Sequence, residues 1–246
     1  MIDYKMKYQA TIFADLEKIT ATNSNITLML ECFKDKEFLP VIFQEISQST
    51  SVITPRIQLA PHDGEWLIFL GSNNIIIEQR PTDLQGTNLG TVRDFSLIAT
   101  EYANRIINAF KLRSPRLSLI SAYLLEEMME DKLKSIFNKF LIPLRTYQEI
   151  PPYEWNARAV SRLPITINGK DESLNAIAMV NRLRGETTDL KAGAITFDRI
   201  QISFDINTDQ NAKEARFTSE NLAEFFEKSI AVHDDLLGQI EGVING

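Results

Sequence analysis

The sequence predicts an α+β fold made of mostly antiparallel sheets that are packed by two long amphipathic helices. The first observation is a series of short runs rich in β-branched and aromatic residues. The second is a pair of longer segments whose apolar residues recur every three or four positions. With 246 residues, of which 44% are hydrophobic, the chain can bury a substantial core without disulfide or metal cross-links.

Short apolar runs predict strands in both halves of the chain. In the first half they lie at residues 8–16, 26–32, 41–46, 65–70 and 74–80, and in the second half at residues 116–125, 155–167, 174–184 and 195–206. The turn residues Gly71-Ser72-Asn73 and Asn168-Gly169 each separate two such runs, which predicts two β-hairpins. The alternation of apolar residues shifts near Asp198-Arg199, which indicates a bulge there.

Three segments have the periodicity of amphipathic helices. They span residues 92–111, 132–141 and 219–244, and Thr218 or Ser219 caps the last one. We expect one face of this final helix to pack on a sheet, through the apolar side chains of Phe225, Phe226, Ile230 and Leu237.

Two stretches of the chain share one order of elements. Residues 75–83 form a strand that ends in Thr-Asp and leads through a loop into the first long helix, and residues 202–209 repeat this before the last helix. The sequence therefore predicts two strand-rich halves, 1–113 and 114–246, each ending in a long helix. They form either two domains or one continuous domain. The similarity indicates a duplication, although any α+β protein can yield two such units by chance.

Composition bounds the partners and the compartment. The net charge is −7, and from Asp205 to the end nine acidic residues face three basic ones, which argues against general nucleic-acid binding. The single cysteine, Cys32, fits a reducing compartment. We see no signal peptide and no apolar run long enough to cross a bilayer, so we expect a cytoplasmic protein without a membrane partner.

Three segments carry a family resemblance. They are the strand and helix from Ile75 to Phe110, the apolar run Arg116-Leu117-Ser118-Leu119-Ile120-Ser121-Ala122-Tyr123-Leu124-Leu125, and Asp205-Ile206-Asn207 followed by a helix that contains His233. In these the chain resembles a family of sporadically distributed bacterial proteins of unassigned activity. The second segment departs from that family, because it lacks basic residues toward its end. The resemblance implies a bacterial origin and supplies no catalytic residues.

Four arginines form the most distinctive candidate site. If Arg158 lies opposite Arg182 in the hairpin around Asn168-Gly169, then Arg162 and Arg184 share their face, because side chains alternate along a strand. Like charges directly opposite each other are unfavourable, so such a face suits a compact anion or an acidic partner surface. A register slip would separate the pairs, and a solvated face neutralised by nearby acids is the alternative.

Other groups of reactive residues are weak candidates. Glu126, Glu127, Glu130 and Asp131 resemble the carboxylates of a metal-dependent nuclease, but acids also favour the first turn of an ordinary helix. His62 lies in a turn and His233 on an apolar helix stripe, and with Cys32 they do not form a zinc site. No phosphate-binding glycine motif is present, so we expect no cofactor and no metal.

These observations favour a non-catalytic binding or assembly protein over an enzyme. The expected role is a subunit of a bacterial intracellular complex, with a protein partner or a second copy of the chain. The alternative is a metal-dependent enzyme that acts on a phosphorylated or nucleic-acid substrate through the carboxylates and arginines.

Overall fold

The computed structural model of the chain describes residues 2–46, 51–83, 86, 88–142, 144–189 and 193–246. Nine strands are found in it: β1 Ile2–Phe13, β2 Phe38–Ile46, β3 Ile53–Pro61, β4 Trp66–Leu70, β5 Asn74–Gln79, β6 Arg116–Leu125, β7 Trp155–Ile167, β8 Lys170–Asp189 and β9 Gly193–Thr208. All nine form one antiparallel sheet in the order β2-β3-β4-β5-β1-β6-β9-β8-β7. The predicted combination of helices with a large antiparallel sheet is confirmed.

Five helices connect these strands within the described residues. They are α1 Asn23–Cys32, α2 Val92–Phe110, α3 Glu130–Phe140, α4 Arg145–Glu149 and α5 Ser219–Asn245. The Thr91 side chain caps α2 together with Asp94, and Thr218 caps α5 together with Asn221. Both helices begin where a threonine satisfies the free backbone N–H of the third helical residue.

The strand predicted at residues 26–32 is wrong, because this segment belongs to helix α1. Its Thr22 side chain accepts a hydrogen bond from the backbone N–H of Asn25, and one side of the helix buries Met29. The β-branched residues Ile26 and Thr27 favoured a strand locally, but the cap and tertiary burial favour the helix. Strand β3 and helix α4 were not predicted.

The hairpins at Gly71-Ser72-Asn73 and Asn168-Gly169 are confirmed. Asn168 and Gly169 both adopt positive φ, at 49° and 72°, as a two-residue hairpin turn with this twist requires. The bulge predicted near Asp198-Arg199 is wrong, since the pairing of β8 with β9 runs without a register shift from Leu174 opposite Thr208 to Asp189 opposite Gly193.

The sheet has one apolar and one polar face. Alternate residues of the strands join the inward sides of α1, α2, α3 and α5 in one buried core. On α5 this core includes Phe225, Phe226 and Ile230, whereas Leu237 is half-buried. The other face carries hydrogen-bonded polar side chains, with Asn175 Nδ2 donating to Asn207 Oδ1 at 3.0 Å.

Candidate binding surfaces

The register of the β7–β8 hairpin decides where the four arginines lie. Because the turn is two residues long, Ile167 lies opposite Lys170, and counting along the strands places Arg158 opposite Met179 and Trp155 opposite Arg182. The predicted pairing of Arg158 with Arg182 is therefore wrong. The offset is odd, so it exchanges the faces of the sheet. Consequently the four arginines do not form one patch.

Arg158 and Arg162 lie on the polar face of the sheet. Both are exposed, and neither side chain makes an ion pair or hydrogen bond with any residue that the structure describes. Arg182 and Arg184 lie on the helix-bearing face instead. The arrangement thus separates a pair that faces solvent from a pair that is engaged in internal contacts.

Arg182 is the buried centre of an ion-pair network whose other members are partly exposed. Its side chain is only 4% exposed, and its guanidinium donates to both oxygens of Asp198 at 2.8 and 2.7 Å. It also donates to both oxygens of Glu130 at 3.0 and 2.6 Å, which ties helix α3 to the sheet. Arg184 adds a contact to Asp198 at 3.3 Å. This bidentate geometry is the strongest that arginine offers to carboxylates.

The network shifts the ionisation of both kinds of partner. The hydrogen-bonded Asp198 carboxylate and then Glu130 raise the pKa of Arg182, against the opposing effect of burial. The Arg182 hydrogen bond in turn lowers the pKa of Asp198 below its usual value. The charged forms are therefore strongly favoured, and the donors that an external anion would need from Arg182 are already occupied.

The acidic residues 126–131 are distributed among structural contacts. Glu130 and Asp131 occupy the first turn of α3, where the helix dipole favours negative charge. Glu130 is also bound to Arg182. In the described part of the chain, no group of three or more histidine, cysteine, aspartate or glutamate side chains is placed to hold a metal ion.

A chain of polar groups, buried except for Asp234, lies where β1 and β6 pack beneath α5. His233 Nδ1 bonds Asp234 Oδ1 at 2.8 Å, and its Nε2 bonds the Tyr123 hydroxyl at 2.9 Å. Tyr8 lies beside Tyr123 and donates its hydroxyl to the carbonyl oxygen of Gly90 at 3.2 Å. A cavity of about 370 Å³ adjoins these side chains. The contacts to Asp234 and Tyr123 fit a neutral imidazole that carries its proton on Nδ1.

Burial favours the uncharged forms of these groups. Burial raises the pKa of Tyr8 to about 12 and also raises that of Tyr123. Burial lowers the pKa of His233, although its Asp234 partner opposes this. Near neutral pH both tyrosines stay protonated. The sequence placed His233 on the core stripe but missed Tyr8 and Tyr123, whose proximity depends on the pairing of β1 with β6.

The free edge of β2 is apolar and exposed. Exposed aliphatic side chains concentrate on this strand and at the start of β3: Leu39, Val41, Ile42, Ile46 and Ile53. The only charged residue in β2, Glu45, is bound to Arg56 at 2.7 Å and to Ser72. Five clustered aliphatic side chains, on an edge whose one charged residue is paired internally, differ from isolated exposed residues, which are common on protein surfaces.

Removing Arg182 should cost far more stability than removing Arg184. We expect Arg182→Ala to lower the free energy of unfolding by about 3–5 kcal/mol, because it leaves Asp198 without its main partner in a partly buried site. Arg184→Ala is the matched control, since its side chain is 41% exposed, and it should cost about 0–1 kcal/mol. Urea unfolding measures both values, and equal losses would contradict a central role for Arg182.

His233 should make stability depend on pH. The pKa of His233 in the folded chain lies below the ordinary value of 6.5. Between these two pKa values the unfolded chain therefore binds a proton that the folded chain does not bind. This contribution to stability is complete above pH 6.5 and is lost as the pH falls through 6.5 toward the folded pKa. We therefore expect His233→Gln to flatten the decline in unfolding free energy between pH 7 and pH 5. His62→Gln, at an exposed turn, should leave the decline unchanged. Parallel curves for wild type and His233→Gln would refute this role.

Comparison with known proteins gives no assignment. No family model matches the sequence, and no curated protein matches it. Within the described residues no helix is long and apolar enough to cross a membrane. The resemblance to a sporadically distributed bacterial family accordingly stays a prediction.

Proposed function

We propose that this chain is a non-catalytic binding or assembly protein that pairs with a second copy of itself through the free edge of β2. The observation that carries the proposal is the exposed and aliphatic character of that edge, whose one charged residue, Glu45, is paired with Arg56. An edge strand presents unpaired backbone N–H and C=O groups, and proteins usually protect it with charges, bulges or covering elements. Strand β2 has Pro40 as such a protection, because proline cannot donate a backbone hydrogen bond to an added strand.

The two edges of the sheet differ in a way that favours β2. At the opposite edge, β7 carries Arg158, Arg162 and Pro164, so two copies of β7 side by side would bring arginines together. Pairing two copies of β2 brings no like charges into direct opposition if Gln44 lies opposite its own copy. In that register Ile42 lies opposite Ile46 of the second copy.

A second copy also fits both faces of β2. Ile42 and Ile46 lie on the core side of the strand, as their pairing with Ile57 and Ile53 shows, and Leu39 and Val41 lie on the other side. An antiparallel pair related by a twofold axis places each row beside its own equivalent, which is self-complementary and closed. An acidic or basic partner would find no complementary charge on this edge.

Other features support binding rather than catalysis. The buried tyrosines are protonated near neutral pH, and Arg182 and Glu130 are engaged with each other. An intracellular location, a bacterial origin and membership of a larger complex belong to the same proposal. They rest on the single cysteine and on the family resemblance.

We also propose that the halves 1–113 and 114–246 arose by duplication of one unit, so that each half ends in a long amphipathic helix. The two halves meet where β1 pairs with β6. Outward from this junction the strand order is β1-β5-β4-β3-β2 in the first half and β6-β9-β8-β7 in the second. In each half the first strand lies beside the last, and a long helix follows the last strand.

Profiles built from homologues of each half should match each other better than shuffled profiles do. Equal scores would contradict the duplication.

Charges on β2 should dissociate the pair. We expect wild-type protein to form a dimer in light scattering coupled to gel filtration. Ile42→Lys with Ile46→Lys should raise the dissociation constant at least about tenfold, which corresponds to about 1.4 kcal/mol. These side chains are 54% and 64% exposed, so the fold should be retained.

The matched control is Ile142→Lys with Ile150→Lys, two isoleucines that are 89% and 70% exposed elsewhere on the surface. This variant should remain dimeric. A monomeric wild-type protein, or equal dissociation in both double variants, would refute assembly through β2. Circular dichroism should be the same for all three proteins.

A further inference from the structure

A small polar cavity lies at the N-terminus of α5, away from the β2 edge and independent of the assembly proposed above. Its volume is about 240 Å³. Among its lining residues are Arg113, Lys170, Arg216, Glu172 and Asn221. They come from the end of α2, the start of β8 and the start of α5, so the cavity exists only when these elements are assembled.

Asn221 presents an unused donor to this cavity. The residue is buried, with only 6% of its surface exposed. The Oδ1 atom accepts from the backbone N–H and the hydroxyl of Thr218, at 2.8 and 3.2 Å, which fixes the orientation of the amide. Among the residues that the structure describes, Nδ2 has no hydrogen-bond partner. Because Asn221 lines the cavity, an acceptor atom bound there would complete the hydrogen bonding of this amide.

The charges around the cavity favour an anion. Arg216 is neutralised by Glu172, to which it donates at 2.5 and 2.9 Å. The side chains of Arg113 and Lys170 are exposed and make no ion pair or hydrogen bond with other described residues. With Glu220 also lining the cavity, one net positive charge remains, in a protein of net charge −7. The N-terminal end of a 27-residue helix adds positive potential.

We propose that this cavity binds a compact oxyanion of the phosphate type. Three of the groups left free in it are donors, the Asn221 amide, the Lys170 ammonium and the Arg113 guanidinium, and they lie beside the exposed carboxylate of Glu220 at the rim. A ligand made only of acceptors, such as phosphate, matches all three at once. The cavity is smaller than the range of about 300–1,000 Å³ that holds drug-sized ligands, so a nucleoside would remain outside it. The ligand is therefore free phosphate or the terminal phosphate of a larger molecule.

Calorimetric titration of the full chain with inorganic phosphate, in a buffer without other oxyanions, tests the proposal. Wild type should bind one phosphate per chain, and Lys170→Glu should weaken binding at least tenfold. Asn221→Asp should do the same. It keeps the oxygen that caps Thr218, in the way Asp94 caps Thr91 on α2, but replaces the donor by a carboxylate.

The control is Lys213→Glu, which changes the net charge equally at an exposed position that does not line the cavity. It should leave phosphate binding within about twofold of wild type. Absence of phosphate binding at millimolar concentrations, or equal weakening by Lys213→Glu, would overturn the proposal. Because Lys170 is exposed, its variant remains informative even if Asn221→Asp does not fold.

A second titration with adenosine monophosphate identifies the source of the phosphate. Binding tighter than that of inorganic phosphate, and lost in Lys170→Glu, assigns the site to a terminal phosphate. Equal or weaker binding assigns it to the free ion. Binding of the nucleotide without any binding of phosphate would place the contact elsewhere and overturn the proposal.

Discussion

The antiparallel pairing of β1 with β6 is the constraint on which the rest of the structure depends. Strand β1 lies between β5 and β6, so it joins the strands of the first half to those of the second. Their register sets Tyr8 opposite Ser121 and brings Tyr8 and Tyr123 together beneath His233. A shift of this pairing by one residue would turn Tyr8, Ala10 and Ile12 from the core to the polar face. The core, the junction between the two halves and the helix packing therefore all depend on this register.

Much of the fold follows from local sequence, and the errors have physical causes. Strands with apolar alternation, the two hairpin turns and the periodic helices were predictable, because each signal is contained within a few residues. Helix α1 was not, since the strand propensity of Ile26-Thr27-Leu28 masks the Thr22 cap, and the burial of Met29 depends on the assembled core. Strand β3 was missed because Pro55 and Pro61 interrupt its pattern. Its place depends on pairing with β2 and β4, which no local window contains.

The four arginines show how the register of one hairpin determines which side chains share a surface. The Asn168-Gly169 turn already fixes Ile167 opposite Lys170, and careful counting from it would have placed Arg158 opposite Met179. That part was available from sequence. The Arg182 partners were not, because Glu130 is 52 residues away and Asp198 is 16 residues away. Likewise, the free N–H of Asn221 could not be foreseen, since only the assembled cavity leaves it without a partner.

The length of β8 and β9 has a mechanical consequence. Residues 183–189 and 193–199 pair with each other beyond the last pairing of β7 and of β6, so they form a two-stranded arm. Seven residue pairs at about 3.3 Å each give the arm a reach of roughly 23 Å. Where the arm leaves the sheet, Arg182 donates hydrogen bonds to Asp198 on one strand of the arm and to Glu130 on α3. A force applied to the arm would thus reach helix α3 through the guanidinium of Arg182, in addition to the sheet with which both strands are continuous.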